Sequence, residues 1–173
     1  MPTIEEQRLK IAFGFSASND GNGQDDFADD MTRFCTVRSA GRTAAPHNKI
    51  RISLTLKARP NWNNKMGIVH GGCIATIIDN LSTQALMVDP RYWEGAKSDE
   101  EAYYRAIKEL GVSRNLSIQY IQAIPSEAEF VVETILESNT KRNIYLTCRL
   151  YDAETGKLYC TATHDKVKLI HKL

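Results

Sequence analysis

From Gly71 to Val88 the chain carries a single formal charge, Asp79, and no other stretch narrows the fold as much. Apolar residues at 74, 77, 78 and 81, with Ala85 and Val88 beyond, recur at the 3.6-residue period of a helix buried along one side. Gly71 and Gly72 mark a turn where backbone comes close to another group, so the spacing predicts a helix from about Gly72 to Val88. An ionised carboxylate on such a helix loses hydration. Either partners hold Asp79 in place, with Thr76, Ser82 and Thr83 one turn away as candidates, or its chemistry requires it.

Around that helix the sequence alternates. Lys49–Arg59 puts Ile50, Ile52, Leu54 and Leu56 on one face at period two, as a half-buried strand does. Phe34–Ser39 reads as a strand before it. Strands near Arg114–Tyr120, Glu129–Ser138, Ile144–Asp152 and Leu158–Ile170 follow, and DAETGK joins the last two as a hairpin. One long apolar helix and then four consecutive strands predict an α+β domain whose antiparallel sheet wraps around the helix. Between them Ser98-x-x-Glu101 reads as a capping box, and Tyr103, Ala106, Ile107 and Leu110 share one face before Gly111. An extra helix over 98–110 is therefore expected, either covering a pocket near Ser113 or decorating the surface. Residues 1–30 read as an N-terminal extension, an amphipathic opening and then a polar stretch, Ser18–Asp30, that is either a mobile connection or a surface loop; residues 31–173 form the domain.

A helix starting near Gly71 presents free backbone N–H groups and the positive end of its dipole, which suit a carbonyl oxygen gaining negative charge. Asp79 lies eight residues on, roughly 12 Å at 1.5 Å per residue. One carbonyl cannot reach both groups of the same chain. If both serve one reaction, two antiparallel copies of the helix must lie side by side, each offering its Asp to the other's start.

The run N-x-x-G-x-x-H-G-G-x-x-x-T-x-x-D, Asn64 to Asp79, is joined downstream by GVSRNLSIQY (Gly111–Tyr120) and TGKL…ATHDK (Thr155–Lys166). Together they resemble the signature of hotdog-fold acyl-CoA thioesterases, of the phenylacetate-pathway and small eukaryotic thioesterase superfamily member types. The resemblance spans about residues 48 to 170. It implies hydrolysis of an acyl-CoA thioester to free acid and coenzyme A. Asp79 would activate water or attack the carbonyl itself, Gly71 N–H and Asn64 would polarise the thioester, and His70 would orient the loop rather than carry protons. Ser113 would position the water or the carboxylate.

By the same resemblance Gly72, Tyr120 and the turn Ser138, Asn139, Thr140, Lys141, Arg142, Asn143 would contact coenzyme A. Lys141 and Arg142 are suitable phosphate partners, and Lys166 is a further cation of that kind. Thr140 stands where small relatives often carry Gly. No metal or bound cofactor is implied, since coenzyme A is part of the substrate. A homodimer at least, and a homotetramer of paired dimers, is the implied assembly. Two other activities suit a hotdog fold: a non-catalytic acyl-CoA sensor or carrier, which needs no carboxylate, and a dehydratase or hydratase, which needs His and a carboxylate in a different motif.

Other chemistries lack support. Ser113 has no G-x-S-x-G elbow, and His47, His70, His164 and His171 have no metal-ligand spacing. Cys73 on a buried helix reads as packing, and GNG at Gly21–Gly23 lacks a nucleotide-binding context. A net charge of +1 provides no global field for nucleic acid or a membrane surface, and no apolar run reaches the length of a membrane span. MPTIEEQRLK is unlike a signal peptide, and Cys35, Cys73, Cys148 and Cys160 form no CxxC pair. A reducing, cytoplasmic setting is expected, with the mitochondrion as the alternative.

Overall fold

The computed structural model describes residues 1–18 and 29–169. The polar stretch Ser18–Asp30 falls almost wholly outside them, as does Gly21–Gly23. Six antiparallel strands form one sheet in the order β1-β2-β4-β5-β6-β3: β1 Cys35–Arg42, β2 Ile50–Lys57, β3 Val112–Tyr120, β4 Glu129–Asn139, β5 Asn143–Asp152 and β6 Leu158–Val167. Helix α3, Gly71–Thr83, packs against β3 to β6. Its Ile77, Ile78 and Leu81 meet a core that includes Ile52, Leu54 and Leu56 of β2, Phe130 of β4 and Leu146 of β5. The expected hotdog layout is the one observed.

Local differences have local causes. The predicted continuous helix to Val88 ends at Thr83, and Gln84–Val88 winds on as a 3-10 helix. The Thr83 hydroxyl donates to the Asp79 carbonyl at 2.8 Å, a back-bond that bends helices, and Pro90 prevents further winding. The inserted segment contains two helices rather than one, α4 Pro90–Trp93 and α5 Asp99–Glu109. Ser98 caps α5 by accepting from Glu101 N–H at 3.1 Å, but the Glu101 carboxylate reaches back to Lys97 N–H, one residue before the position a full capping box would use. Gly111, at φ +64°, turns the chain out of α5 into β3.

Two further helices precede the sheet, α1 Ile4–Ser18 and the single turn α2 Asp29–Arg33. Leu9 and Ala12 of α1 are buried in the main core, and Phe15 stacks 5.3 Å from Tyr103 of α5. The sheet ends on one side at β3, which among the described residues pairs only with β6. Along that free edge Val112 and Tyr120 stand exposed, with Ile121 just beyond.

Candidate active site on the central helix

The chain arrives at α3 through a loop that Asn64 builds. Its side-chain oxygen accepts from Met66 N–H at 2.8 Å and Ile68 N–H at 3.5 Å, the pattern of an Asx turn. His70 is the N-cap: Nδ1 accepts from Gly72 N–H at 2.9 Å, which fixes the imidazole against the turn. That bond leaves the Gly71 N–H at the open, positive end of the helix. From the end of β3 the Tyr120 hydroxyl donates to the Gly71 carbonyl at 2.8 Å, and its ring lies 3.5 Å from where a Gly71 side chain would begin. Asn64, His70, Gly71, Gly72 and Tyr120 thus form one cluster.

Two turns along, a second cluster surrounds Asp79. The Ser113 hydroxyl, at the start of β3, donates to Asp79 Oδ1 at 2.5 Å. His164 of β6 is fully buried and lies 3.1 Å from the same oxygen through Nε2, which is also 2.9 Å from Ser113 Oγ. Its Nδ1 is 2.8 Å from Ser82 Oγ. These partners fit an imidazole with its proton on Nε2, so that Ser82 donates to Nδ1 and Nε2–H points at the carboxylate. Lys166, two residues further on the same face of β6, donates to Ser113 Oγ at 3.4 Å.

The electrostatics follow from this packing. Hydrogen bonding from His164 draws the Asp79 carboxyl down to about 2; burial opposes that, and the Ser113 hydroxyl then reinforces it. Asp79 is consequently ionised at neutral pH although its helix is mostly apolar. It is still 43% exposed, so it can be reached from outside. Burial pushes the Lys166 ammonium below its ordinary value, and the negative Asp79 partly restores it.

The two clusters lie on one rigid helix, separated by eight residues, or roughly 12 Å. Of the residues singled out in the sequence, Asp79, Ser113 and Lys166 therefore meet one another and not Gly71. The Ser138–Asn143 turn is a third place. The Thr140 hydroxyl closes it, donating to the Asn143 carbonyl at 2.9 Å while accepting from Asn143 N–H at 2.9 Å. Ser138, Lys141, Arg142 and Asn143 are exposed there. Asn139 instead turns inward, donating to Asp89 Oδ2 at 3.1 Å and Tyr92 Oη at 3.0 Å. Among the described residues, no group of three or more His, Cys, Asp or Glu side chains is placed to hold a metal ion.

His164 is the site residue the sequence reading passed over. Ala162, His164 and Lys166 alternate with outward residues along β6, and that period is the signal by which it can be found.

The chain is similar to several known proteins. The sequence model of the family described as Thioesterase superfamily matches residues 66–159. Acyl-coenzyme A thioesterase 13 of Mus musculus is 30% identical over 124 residues, covering 72% of this chain and 75% of the relative. Its Homo sapiens counterpart is 27% identical over 116 residues, covering 67% and 71%. Among solved structures, thioesterase superfamily member 2 from Mus musculus superposes with a TM-score of 0.64 at 23% identity, covering 98% of this chain and 100% of that one. The zebra fish member 2 gives 0.64 at 22% identity, covering 87% and 92%.

Proposed function

The chain belongs to the thioesterase superfamily, and from that membership we propose that it hydrolyses acyl-CoA thioesters to the free acid and coenzyme A. The observation that carries this reading is the Asp79 carboxylate, held ionised by His164 and Ser113 yet open to solvent. A water beside Asp79 gives its proton to the carboxylate as its oxygen bonds to the thioester carbon. The carbonyl oxygen, now negative, accepts from the Gly71 N–H of a second chain, with the Asn64 amide on the same side. Collapse of the tetrahedral adduct breaks the C–S bond and expels the coenzyme A thiolate. Direct attack by Asp79 would expel the thiolate and form a mixed anhydride instead; label in the Asp79 side chain after a single turnover in heavy-oxygen water would mark that route, through attack of water on the Asp79 carbonyl carbon.

The assembly this requires is a homodimer in which two α3 helices lie antiparallel. The free edge of β3, with exposed Val112, Tyr120 and Ile121, suits such pairing because unpaired strand edges seek partners. A homotetramer of paired dimers is the larger form to look for by light scattering. For coenzyme A, the cations Lys141 and Arg142 on the 138–143 turn suit the phosphates. A cavity of about 660 Å³ beside that turn adds Arg91, Lys108 and Lys168. Four free cysteines fit a reducing compartment, cytosol or mitochondrial matrix. No described helix is long and apolar enough to cross a membrane.

The test is free-thiol release over short, medium, long and aromatic acyl-CoAs, with Asp79→Asn as comparison. Loss of a positioned base is typically worth ~10²–10⁴-fold, so a fall of that size in kcat with binding retained is expected. Turnover within tenfold of wild type in Asp79→Asn overturns the role given to this carboxylate.

A further inference from the structure

Building on the acyl-CoA reading, we propose that the inserted segment 89–110 is a fixed wall that closes the acyl site at a depth of roughly ten heavy atoms, making medium-chain acyl groups the preferred substrates. A cavity of about 320 Å³ runs along α3 and the 3-10 helix beyond it, touching Asp79, Asn80, Thr83, Gln84 and Met87. Those positions share one helical face. Asp79 and Met87 mark its two ends, again eight residues or roughly 12 Å apart. The opposite side is Tyr103 and Ile107 of α5 with its C-cap Leu110, and Ser16, Thr32, Gly111 and Lys166 complete the lining.

The groove therefore starts at the reacting carboxylate and leads away from it. Several of its polar linings are already engaged. The Thr83 hydroxyl bonds to the Asp79 carbonyl at 2.8 Å and the Asn80 amide nitrogen to the Thr76 carbonyl at 3.2 Å. Met87, Tyr103, Ile107 and Leu110 supply the apolar surface. Ile107 is 38% exposed, costly for an isoleucine unless something apolar comes to cover it. At about 30 Å³ per water-sized heavy atom, the cavity takes roughly ten.

The segment is pinned at several points, which makes it a wall and not a lid. The carboxylate of buried Asp89 grips the Arg91 guanidinium through both oxygens, at 3.1 and 2.6 Å. Arg91 also donates to the Asn139 carbonyl at 2.9 Å. The Trp93 indole donates to the Met87 carbonyl at 2.7 Å, and Lys168 to Glu109 at 2.8 Å. The far end of the groove, at Met87, is thus tied directly to the insertion.

S-butyl, S-octyl, S-decyl and S-hexadecyl thioethers of coenzyme A, which cannot be hydrolysed, measure the groove by calorimetry without any turnover. Affinity should rise about fourfold per methylene and level off near eight to ten carbons. Ile107→Trp should lower the decyl-to-butyl affinity ratio at least tenfold, and Ile107→Ala should move the plateau to longer chains. Ile107 is partly exposed, so both variants should fold, which circular dichroism checks. An affinity that climbs at the same slope to hexadecyl, an unchanged ratio in Ile107→Trp, or no binding of any thioether would overturn the wall. Thiol release reports separately: length-limited thioether binding with no hydrolysis of any acyl-CoA removes the hydrolase and keeps the wall, whereas hydrolysis without a length limit does the reverse.

Discussion

Replacing His164 by Phe tests how the Asp79 cluster is held. The ring is fully buried and the substitution keeps a planar ring there, so its main effects are on hydrogen bonds. The buried Ser82 hydroxyl loses its 2.8 Å partner, and Asp79 and Ser113 lose the Nε2 contact. A buried hydroxyl left with only the weak Cys148 thiol as its side-chain partner costs up to ~1–3 kcal/mol. The lost contact to Asp79 adds little, because water reaches a carboxylate that is 43% exposed. A total near 2 kcal/mol lowers Tm by roughly 4–8 °C for a chain of this size.

A pH dependence accompanies it. The folded chain holds Asp79 at about 2 against an ordinary 3.8, with His164 the largest cause. A depressed carboxyl stabilises the fold above its unfolded value and ceases to do so as pH falls through the folded one. The Tm gap between wild type and variant should therefore be widest near neutrality and narrow only slightly between about pH 4 and 2, leaving the larger Ser82 portion. The acid limb of kcat/KM should also move upward in the variant, toward the ordinary carboxylate range. Calorimetric melting from pH 2.5 to 8 reads the first effect and initial rates the second. Equal Tm values within a degree, with coincident acid limbs, would refute the account.

Ser113→Ala removes the hydroxyl that donates to Asp79 at 2.5 Å; kcat should fall by about tenfold, the size of one charge-assisted bond of ~1.5 kcal/mol, with Tm little changed because the position is exposed. Tyr120→Phe removes the bond to the Gly71 carbonyl and should cost ~0.5–1.5 kcal/mol in denaturant melts. Gly111→Ala would put a methyl 2.5 Å from the Val167 carbonyl at a φ of +64°, so a loss of at least ~1–3 kcal/mol or failure to fold is expected by urea titration.

What could be read in advance follows from where the information lies along the chain. The α3 start and Asp79 fall within one short run, and helical and strand periods are local properties, so fold class, strand number and the Asp79 position were all legible. The sequence offers Lys166 as a further phosphate partner for coenzyme A, yet it lies beside Ser113 and Asp79. Its inward face follows from the β6 register, the same register that hides His164 beside Ser113. Asn139 sits in a polar turn that looks wholly solvated, and its inward hydrogen bond depends on Asp89, fifty positions earlier. The break at Gln84 required knowing that Thr83 bonds back onto its own helix. Which partners Lys166, His164 and Asn139 meet depends on contacts between distant segments, which no window of sequence displays.

Placing Gly71 and Asp79 at separate points of one helix has a consequence in genetics. In the proposed dimer each reaction centre draws half its parts from either chain, so two differently damaged alleles can repair one another. Chains bearing Asp79→Asn, mixed and reassembled with chains damaged at the His70–Gly71 turn, would form hybrids with one complete centre and one doubly broken one. An equal mixture should recover about a quarter of wild-type activity from two inactive proteins, because half the dimers are hybrids and each has one working centre of two. By the same arithmetic, an Asp79→Asn chain expressed beside the wild type lowers activity only in proportion to its share and does not act as a dominant poison.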